Sequence, residues 1–127
     1  MTIPGSTLLC LYRTMIRIRR CEEQLVRSYA TGTITGACHT YIGEEAVATG
    51  VCAHLRNDDA VFSTHRGHGH ALAKGVTSNQ LIAELFGRAT GCSGGRGGSM
   101  HLFSPEVGMM GAVRIRMAKG EAVRHGW

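Results

Sequence analysis

The feature of the sequence that most restricts the fold is a glycine-rich stretch from Gly87 to Phe103. It reads GRATGCSGGRGGSMHLF and contains six of the 18 glycines of the chain. Glycine loses more backbone entropy on ordering than any other residue, so we expect this stretch to need positive φ angles or close backbone contacts. Its clustered N–H groups could also hold an anion. The alternative is a flexible linker, although such linkers seldom carry residues such as Met100 and His101.

Helices dominate the remaining pattern. A long amphipathic helix is predicted from Ser6, as its N-cap, to a stop at Gly32. Along this helix, side chains spaced by three or four residues form one stripe, which is apolar except for Glu22. Its members are Leu8, Leu11, Met15, Ile18, Glu22, Leu25 and Tyr29. Further elements are predicted in chain order: a helix over 43–55, a short strand over 60–63, a short helix stopped by Gly75, and a helix from Thr77 or Ser78 to Phe86. Several helices with one strand indicate the beginning of an α/β domain.

Composition limits the partners. The chain has 127 residues and a formal net charge of +5. Residues 1–112 carry a net charge of only +2, and residues 113–127 carry +3. This near balance argues against nucleic acid as a partner, and the single GRGG segment is weak support for RNA binding. We expect no membrane span, because no apolar run approaches about 20 residues. The five cysteines lack metal-site spacing and are expected to be free thiols of a cytoplasmic protein.

A histidine cluster follows the predicted strand, at His65, His68 and His70. No regular element places all three on one face, so a metal site would need distant ligands and is disfavoured. Arg66 stands between a strand and a helix, where α/β proteins bind phosphate, and its fork fits phosphate oxygens. An anion site is therefore the favoured interpretation, and ordinary polar loop residues are the alternative. His39, taken alone, is more typical of a structural histidine.

Four segments resemble one known family. They are YRTMIRIRRCEEQL, HTYIGEEAVATGV, FSTHRGHGHALAKG and LIAELFGRATGCSGGRGGSMHLFSPEVGMMGA. In this order they resemble the N-terminal part of the α subunit of thiamine-diphosphate-dependent E1 dehydrogenases, from about Leu8 to Ala112. The family includes pyruvate, branched-chain 2-oxo acid and acetoin dehydrogenases. The STHRGHGH and MMGA segments look closest to the acetoin and pyruvate branches.

The resemblance implies a fold and an activity. The fold would be an α/β thiamine-diphosphate-binding fold, present here as an N-terminal fragment with mostly helices and loops and little sheet. The enzyme would be an oxidoreductase that cleaves a 2-oxo acid or acetoin and passes the acyl unit to lipoamide, a disulfide acceptor. Its partners would be an E1 β subunit and a lipoyl-bearing E2, with no nucleic acid and no membrane.

The resemblance also implies roles for individual residues. His65 and Arg66 would contact the diphosphate of the cofactor. Ser99 and His101 would lie in the glycine-rich loop beside the cofactor. The expected catalytic residues are two further histidines, His39 near the reacting carbon and His68 in the same active-site loop.

The resemblance ends after Ala112. Residues 113–127, VRIRMAKGEAVRHGW, are expected to be an aberrant basic tail outside the domain formed by residues 1–112. Family members continue with a GIVG-like stretch and a GDG…N motif whose side chains hold magnesium, so we expect no metal ligands in this chain. A truncated chain of this kind is expected to be inactive alone. The alternative is a non-catalytic fragment that binds a β subunit or self-associates; a nucleic-acid-binding tail is a more distant one.

Overall fold

The structure is a computed structural model, and it describes residues 2–113. The helices are α1 (Gly5–Ala30), α2 (Glu45–Cys52), α3 (His68–Lys74) and α4 (Ser78–Leu85). Two strands, β1 (Val61–Ser63) and β2 (Met109–Ala112), form a parallel sheet, and a 3-10 turn (Pro105–Val107) precedes β2. This part of the chain is therefore mostly helical with a small parallel sheet, as expected for one section of an α/β domain. The predicted tail lies outside the described residues, apart from Val113.

Helix α1 is buried only in its second half. Ile18 and Leu25 are fully enclosed together with the acid of the stripe, Glu22, whereas Leu8 is 50% exposed and Tyr29 is 47% exposed. The stripe is therefore buried over only part of its length, on the side of α1 that contacts α2 and α3. The predicted N-cap is wrong: the helix follows Pro4, and Ser6 lies within its first turn.

One core joins α1, α3, α4 and the loop before α2. Its members are mostly aliphatic, with one aromatic ring: Ile18, Cys21, Leu25, Ile34, Tyr41, Ala48, Ala71, Leu72, Val76, Leu81, Leu85, Leu102 and Met109. Tyr41 lies directly over Gly69 of α3, where a β-carbon would overlap the phenol ring. Burial raises the pKa of Tyr41 to about 12, so its hydroxyl keeps its proton. Gly69 is therefore needed for the close approach of α3 to the loop before α2.

Strand β2 was not predicted. Val61 pairs with Met109 and Ser63 with Ala112, with an irregularity between them. The backbone N–H of Val61 donates to the carbonyl of Gly108 at 2.8 Å, beside the first of these pairs. The segment MMGA has no local strand pattern, so its conformation comes from pairing with β1.

The ends of α3 and α4 confirm the local signals. Gly75 ends α3 in the left-handed region, with φ of 119°. Thr77 caps α4 in a reciprocal capping box with Gln80.

All five cysteines are free thiols, with Cys52 buried and Cys10 exposed. In residues 2–113 no helix has the length and apolarity that a membrane crossing requires.

Replacing Gly69 with alanine should destabilise the fold by about 1–3 kcal/mol, because the new methyl group overpacks against Tyr41. The matched control is Gly50→Ala in α2, where a β-carbon meets no atom within 4 Å. That change should stabilise the fold by about 0.5–1 kcal/mol, since alanine is the better helix former. Urea unfolding measures both. Equal effects of the two substitutions would contradict the close contact.

The contact between α1 and α2 should depend on pH. Arg19 Nε donates to Glu45 Oε1 at 2.6 Å, and this bond lowers the pKa of Glu45 to about 2 from its ordinary value of 4.5. A depressed carboxyl pKa stabilises the fold above the unfolded value and ceases to do so as the pH falls through the folded value. The stability difference between the wild type and Arg19→Ala should therefore shrink between about pH 5 and pH 2. Arg20→Ala, which removes an exposed pair with Glu23, should show a small difference throughout.

Candidate functional site

A cavity of about 500 Å³ lies at the carboxyl ends of the two parallel strands. Thr64 and His65 follow β1 directly, and Ala112 and Val113 stand at the end of β2. The remaining lining residues come from two loops: His39 from the loop between α1 and α2, and Met100 and His101 from the glycine-rich stretch. The outer ends of parallel strands are where open α/β sheets bind ligands, so this cavity is the candidate site.

Three of the six predicted site residues meet at this cavity. The rings of His39 and His65 are in edge contact, with centroids 4.8 Å apart and planes at 82°. His101 lies on the same cavity from the glycine-rich stretch. These imidazoles offer donors and acceptors, and no carboxylate lies among the described lining residues. The described lining therefore suits a ligand that is anionic or rich in hydrogen-bonding groups.

Arg66 lies beside the cavity rather than among the residues that line it. Its Nη1 donates to the carbonyl oxygen of Thr40 at 2.5 Å, and its backbone N–H donates to Thr64 Oγ1 at 3.2 Å. The guanidinium therefore ties the loop of His39 to the loop after β1. An arginine has five donor hydrogens, so this contact leaves others for an anion.

His68 and Ser99 lie behind the cavity, in the interior. The side chain of His68 is fully buried, and Ser99 is 7% exposed. His68 Nδ1 lies 2.7 Å from Glu22 Oε1, and His68 Nε2 lies 2.9 Å from Ser99 Oγ. These two predicted site residues are therefore joined to each other and to a buried acid, and neither is among the residues that line the cavity.

The glycine-rich stretch holds an anion, but the anion belongs to the chain itself. The carboxylate of Glu84, on α4, is fully buried. It accepts hydrogen bonds from four backbone N–H groups of the stretch. Glu84 Oε2 lies 2.7 Å from the nitrogen of Ser93 and 2.9 Å from that of Gly95, and Oε1 lies 2.7 Å from the nitrogen of Gly97 and 3.2 Å from that of Gly98. These four N–H groups are therefore occupied by a carboxylate of the chain itself, which shapes the loop.

Close backbone contacts explain why these positions are glycine. A β-carbon on Gly91 would lie 2.5 Å from Glu84 Cα, and one on Gly95 would lie 2.6 Å from the carbonyl carbon of Gly87. A β-carbon on Gly97 would overlap the carbonyl of His101. The stretch is a folded loop wound around Glu84, and the linker alternative is excluded.

His70, the third member of the histidine cluster, faces away from the cavity lining. Its Nδ1 lies 2.9 Å from Ser63 Oγ, and its Nε2 lies 3.4 Å from the hydroxyl of Tyr41. Burial lowers the pKa of His70, so the neutral ring is favoured. In residues 2–113 no group of three acidic, cysteine or histidine side chains is placed to hold a metal ion.

Sequence reasoning missed two residues on which this region depends, Glu22 and Glu84. Each is an acid in an otherwise apolar helical stripe: Glu22 between Ile18 and Leu25, and Glu84 between Leu81 and Leu85. An acid at such a place is buried when the helix packs, and a buried carboxylate needs donors. That interruption of the apolar pattern was the available signal.

Sequence comparison defines the family of the chain. The chain belongs to the family described as dehydrogenase E1 component, which matches residues 13–127. The matched range includes residues 113–127, where we predicted a departure from the family pattern. The domain boundary at Ala112 stays a prediction.

Named relatives are α subunits of two kinds of dehydrogenase. The chain is 50% identical over 107 residues to the α subunit of acetoin:2,6-dichlorophenolindophenol oxidoreductase of Bacillus subtilis, covering 84% of this chain and 32% of that protein. It is 47% identical over 119 residues to the pyruvate dehydrogenase E1 α subunit of Porphyra purpurea, covering 94% of this chain and 34% of that protein. The chain thus spans about a third of the length of these relatives.

Replacing Glu84 with glutamine should destabilise the fold by about 2–3 kcal/mol. The amide has the same size, but its NH₂ group would face N–H donors of the loop and leave them unpaired in the interior. Urea unfolding gives the loss in free energy. Asp58→Asn is the matched acid-to-amide control, since the side chain of Asp58 is 73% exposed, and it should cost little.

A second variant separates the role of the charge from that of the side chain. In Glu84→Ala the four N–H groups lose their acceptor, and added formate should restore part of the lost stability by occupying their place. Chloride at the same ionic strength serves as the control. A gain with both salts, or with neither, would contradict the bound carboxylate as the organiser of the loop.

Proposed function

We propose that this chain supplies the N-terminal section of the α subunit of a thiamine-diphosphate-dependent E1 dehydrogenase. Such an enzyme cleaves a 2-oxo acid or acetoin and passes the acyl unit to lipoamide. Membership of the E1 component family supports the class. The observation that carries the proposal is the cavity, where His39, His65 and His101 converge at the ends of two parallel strands.

The residues at the cavity fit one end of an anionic cofactor. Imidazoles and the hydroxyl of Thr64 line it, and the guanidinium of Arg66 lies beside it. In the proposed site, His65 and Arg66 hold the diphosphate by hydrogen bonds and charge. When bound, the cofactor supplies the nucleophilic carbon that attacks a carbonyl group. His39 and His101 orient the substrate and exchange protons with it, because imidazole does both near neutral pH.

The other half of the site would come from elsewhere. An E1 β subunit is the proposed partner, and a lipoyl-bearing E2 is the proposed acceptor of the acyl unit. In this proposal the magnesium ion of the cofactor would take its oxygen ligands outside residues 2–113. This chain is 50% identical to the acetoin-type relative and 47% identical to the pyruvate-type relative. Because these identities are so similar, the proposal includes both substrates.

Co-expression with a tagged E1 β subunit of an acetoin or pyruvate dehydrogenase tests the proposal. The chain should co-purify, and thiamine diphosphate with magnesium should raise the melting temperature of the complex. Arg66→Ala should reduce that rise, because it removes a charge-assisted contact to the diphosphate. The exposed Arg13 of α1 supplies the control: Arg13→Ala removes the same charge away from the cavity and should leave the rise unchanged.

A second candidate function, binding without catalysis, is favoured by the apolar surface. Five large apolar side chains on α1, α2 and β1 are more than half exposed: Leu9 at 58%, Tyr12 at 60%, Val47 at 58%, Val51 at 55% and Phe62 at 62%. Surfaces of this kind suit protein contacts. Co-purification with the β subunit but no response to cofactor would favour this function over the first.

A further inference from the structure

Four groups form a continuous hydrogen-bonded chain from the interior to the cavity. It runs from Glu22 of α1, through His68 of α3 and Ser99 of the glycine-rich stretch, to the backbone N–H of His39. The distances are 2.7 Å, 2.9 Å and 3.4 Å, so the last contact is the weakest. A branch joins the same loop directly, because the N–H of Tyr41 donates to Glu22 Oε2 at 3.1 Å. Glu22 is thus bonded directly to Tyr41, and it is linked to His39 only through His68 and Ser99.

One assignment of protons satisfies every group in this series of hydrogen bonds. The carboxylate of Glu22 only accepts, so His68 Nδ1 carries a proton. In a neutral imidazole Nε2 is then an acceptor, and it takes the hydroxyl proton of Ser99. The oxygen of Ser99 is left with lone pairs, one of which accepts the N–H of His39. Every donor in the chain then has an acceptor, which is required because Glu22 and His68 are fully buried.

An acid, an imidazole and a hydroxyl in series also suggest a serine nucleophile, but the surroundings exclude it. Ser99 is buried, its side chain is not among the residues that line the cavity, and its oxygen already accepts from His39. No substrate carbonyl could reach it from the cavity as described. The chain of bonds is therefore suited to holding a neighbouring segment in place.

We propose that Glu22 is a positioning residue for His39. It sets the tautomer of His68, which orients the hydroxyl of Ser99, which in turn holds the backbone of His39 at the cavity. The inference rests on the proposed function only in taking His39 as a group that acts in the cavity. Glu22 is not among the residues that line the cavity. Its side chain is hydrogen-bonded to Tyr41 and His68, which do not line the cavity either.

Glu22→Gln should reverse the direction of the hydrogen bonds between residue 22, His68 and Ser99. The N–H of Tyr41 cannot become an acceptor, so the amide oxygen must face it. The amide NH₂ then faces His68 Nδ1, which has to accept, and the ring proton moves to Nε2. Ser99 loses the acceptor of its hydroxyl proton and turns. Ser99→Ala acts differently: it removes the link to His39 and leaves His68 Nδ1 protonated, still donating to the carboxylate of Glu22.

Nitrogen-15 NMR of the histidine rings in the full chain tests the proposal without cofactor. We expect the wild type and Ser99→Ala to show His68 protonated on Nδ1, and Glu22→Gln to show it protonated on Nε2. Glu23→Gln is the matched control on the next position of α1, where the acid pairs with exposed Arg20, and it should match the wild type. A wild-type His68 that is protonated on Nε2 or on both nitrogens would overturn the proposal.

Amide hydrogen exchange supplies the readout at His39. Ser99→Ala should speed exchange of the His39 N–H about fivefold and leave that of Tyr41 unchanged, since one hydrogen bond is worth about 1 kcal/mol. Glu22→Gln should speed exchange at His39 as well. Because Ser99→Ala only shortens a side chain, it keeps the test decisive if Glu22→Gln does not fold. Unchanged exchange at His39 in Ser99→Ala would contradict the proposal.

The complex with the E1 β subunit separates this inference from the proposed function. There Glu22→Gln should weaken the response to thiamine diphosphate, and Glu23→Gln should not. If the wild-type complex does not respond to the cofactor, the proposed function fails while the NMR result still decides the role of Glu22. If the complex responds equally in both variants, the role of Glu22 fails while the proposed function stands.

Discussion

A carboxylate removed from water must be surrounded by donors, and the described part of the chain is built on two such carboxylates. Neither Glu22 nor Glu84 is exposed. Glu84 receives four backbone N–H groups of the glycine-rich stretch, and Glu22 receives His68 and the N–H of Tyr41. Each acid sits on a helix and collects donors from loops, so the helices determine where the loops lie. The cost of burying either charge without these donors would be several kcal/mol.

The two acids that hold the loops in place are not among the residues that line the cavity. The two acids lie behind the loops, and the described lining of the cavity contains imidazoles, a hydroxyl and apolar side chains. A carboxylate at the surface of the cavity would repel an anionic ligand. The buried carboxylates of Glu22 and Glu84 therefore fix the loops by hydrogen bonds, and neither carboxylate lines the cavity. Arg66 adds a third link, from the loop after β1 to Thr40.

Sequence reasoning predicted the elements whose signals are local. The stop at Gly75 and the helix start at Thr77 or Ser78 depend on neighbouring residues, and both are confirmed, with Thr77 as the N-cap. His39, His65 and His101 line one cavity, and the roles that the family resemblance implied for them stay predictions. Strand β2 and the exposed ends of α1 were beyond local reasoning, because a strand of four residues exists only through its partner, and a stripe is buried only where something packs on it.

The sequence by itself determined the family, the helical segments and the chemistry available at each position. It placed an acid in two apolar stripes and a run of glycines after one of them. Only the tertiary structure decided that Glu84 is the anion held by those glycines, that His68 contacts Glu22, and that Ser99 contacts His68. The physical reason is that hydrogen bonds and burial join residues far apart in the chain. Glu22 and His68 are 46 positions apart, a separation that no local pattern records.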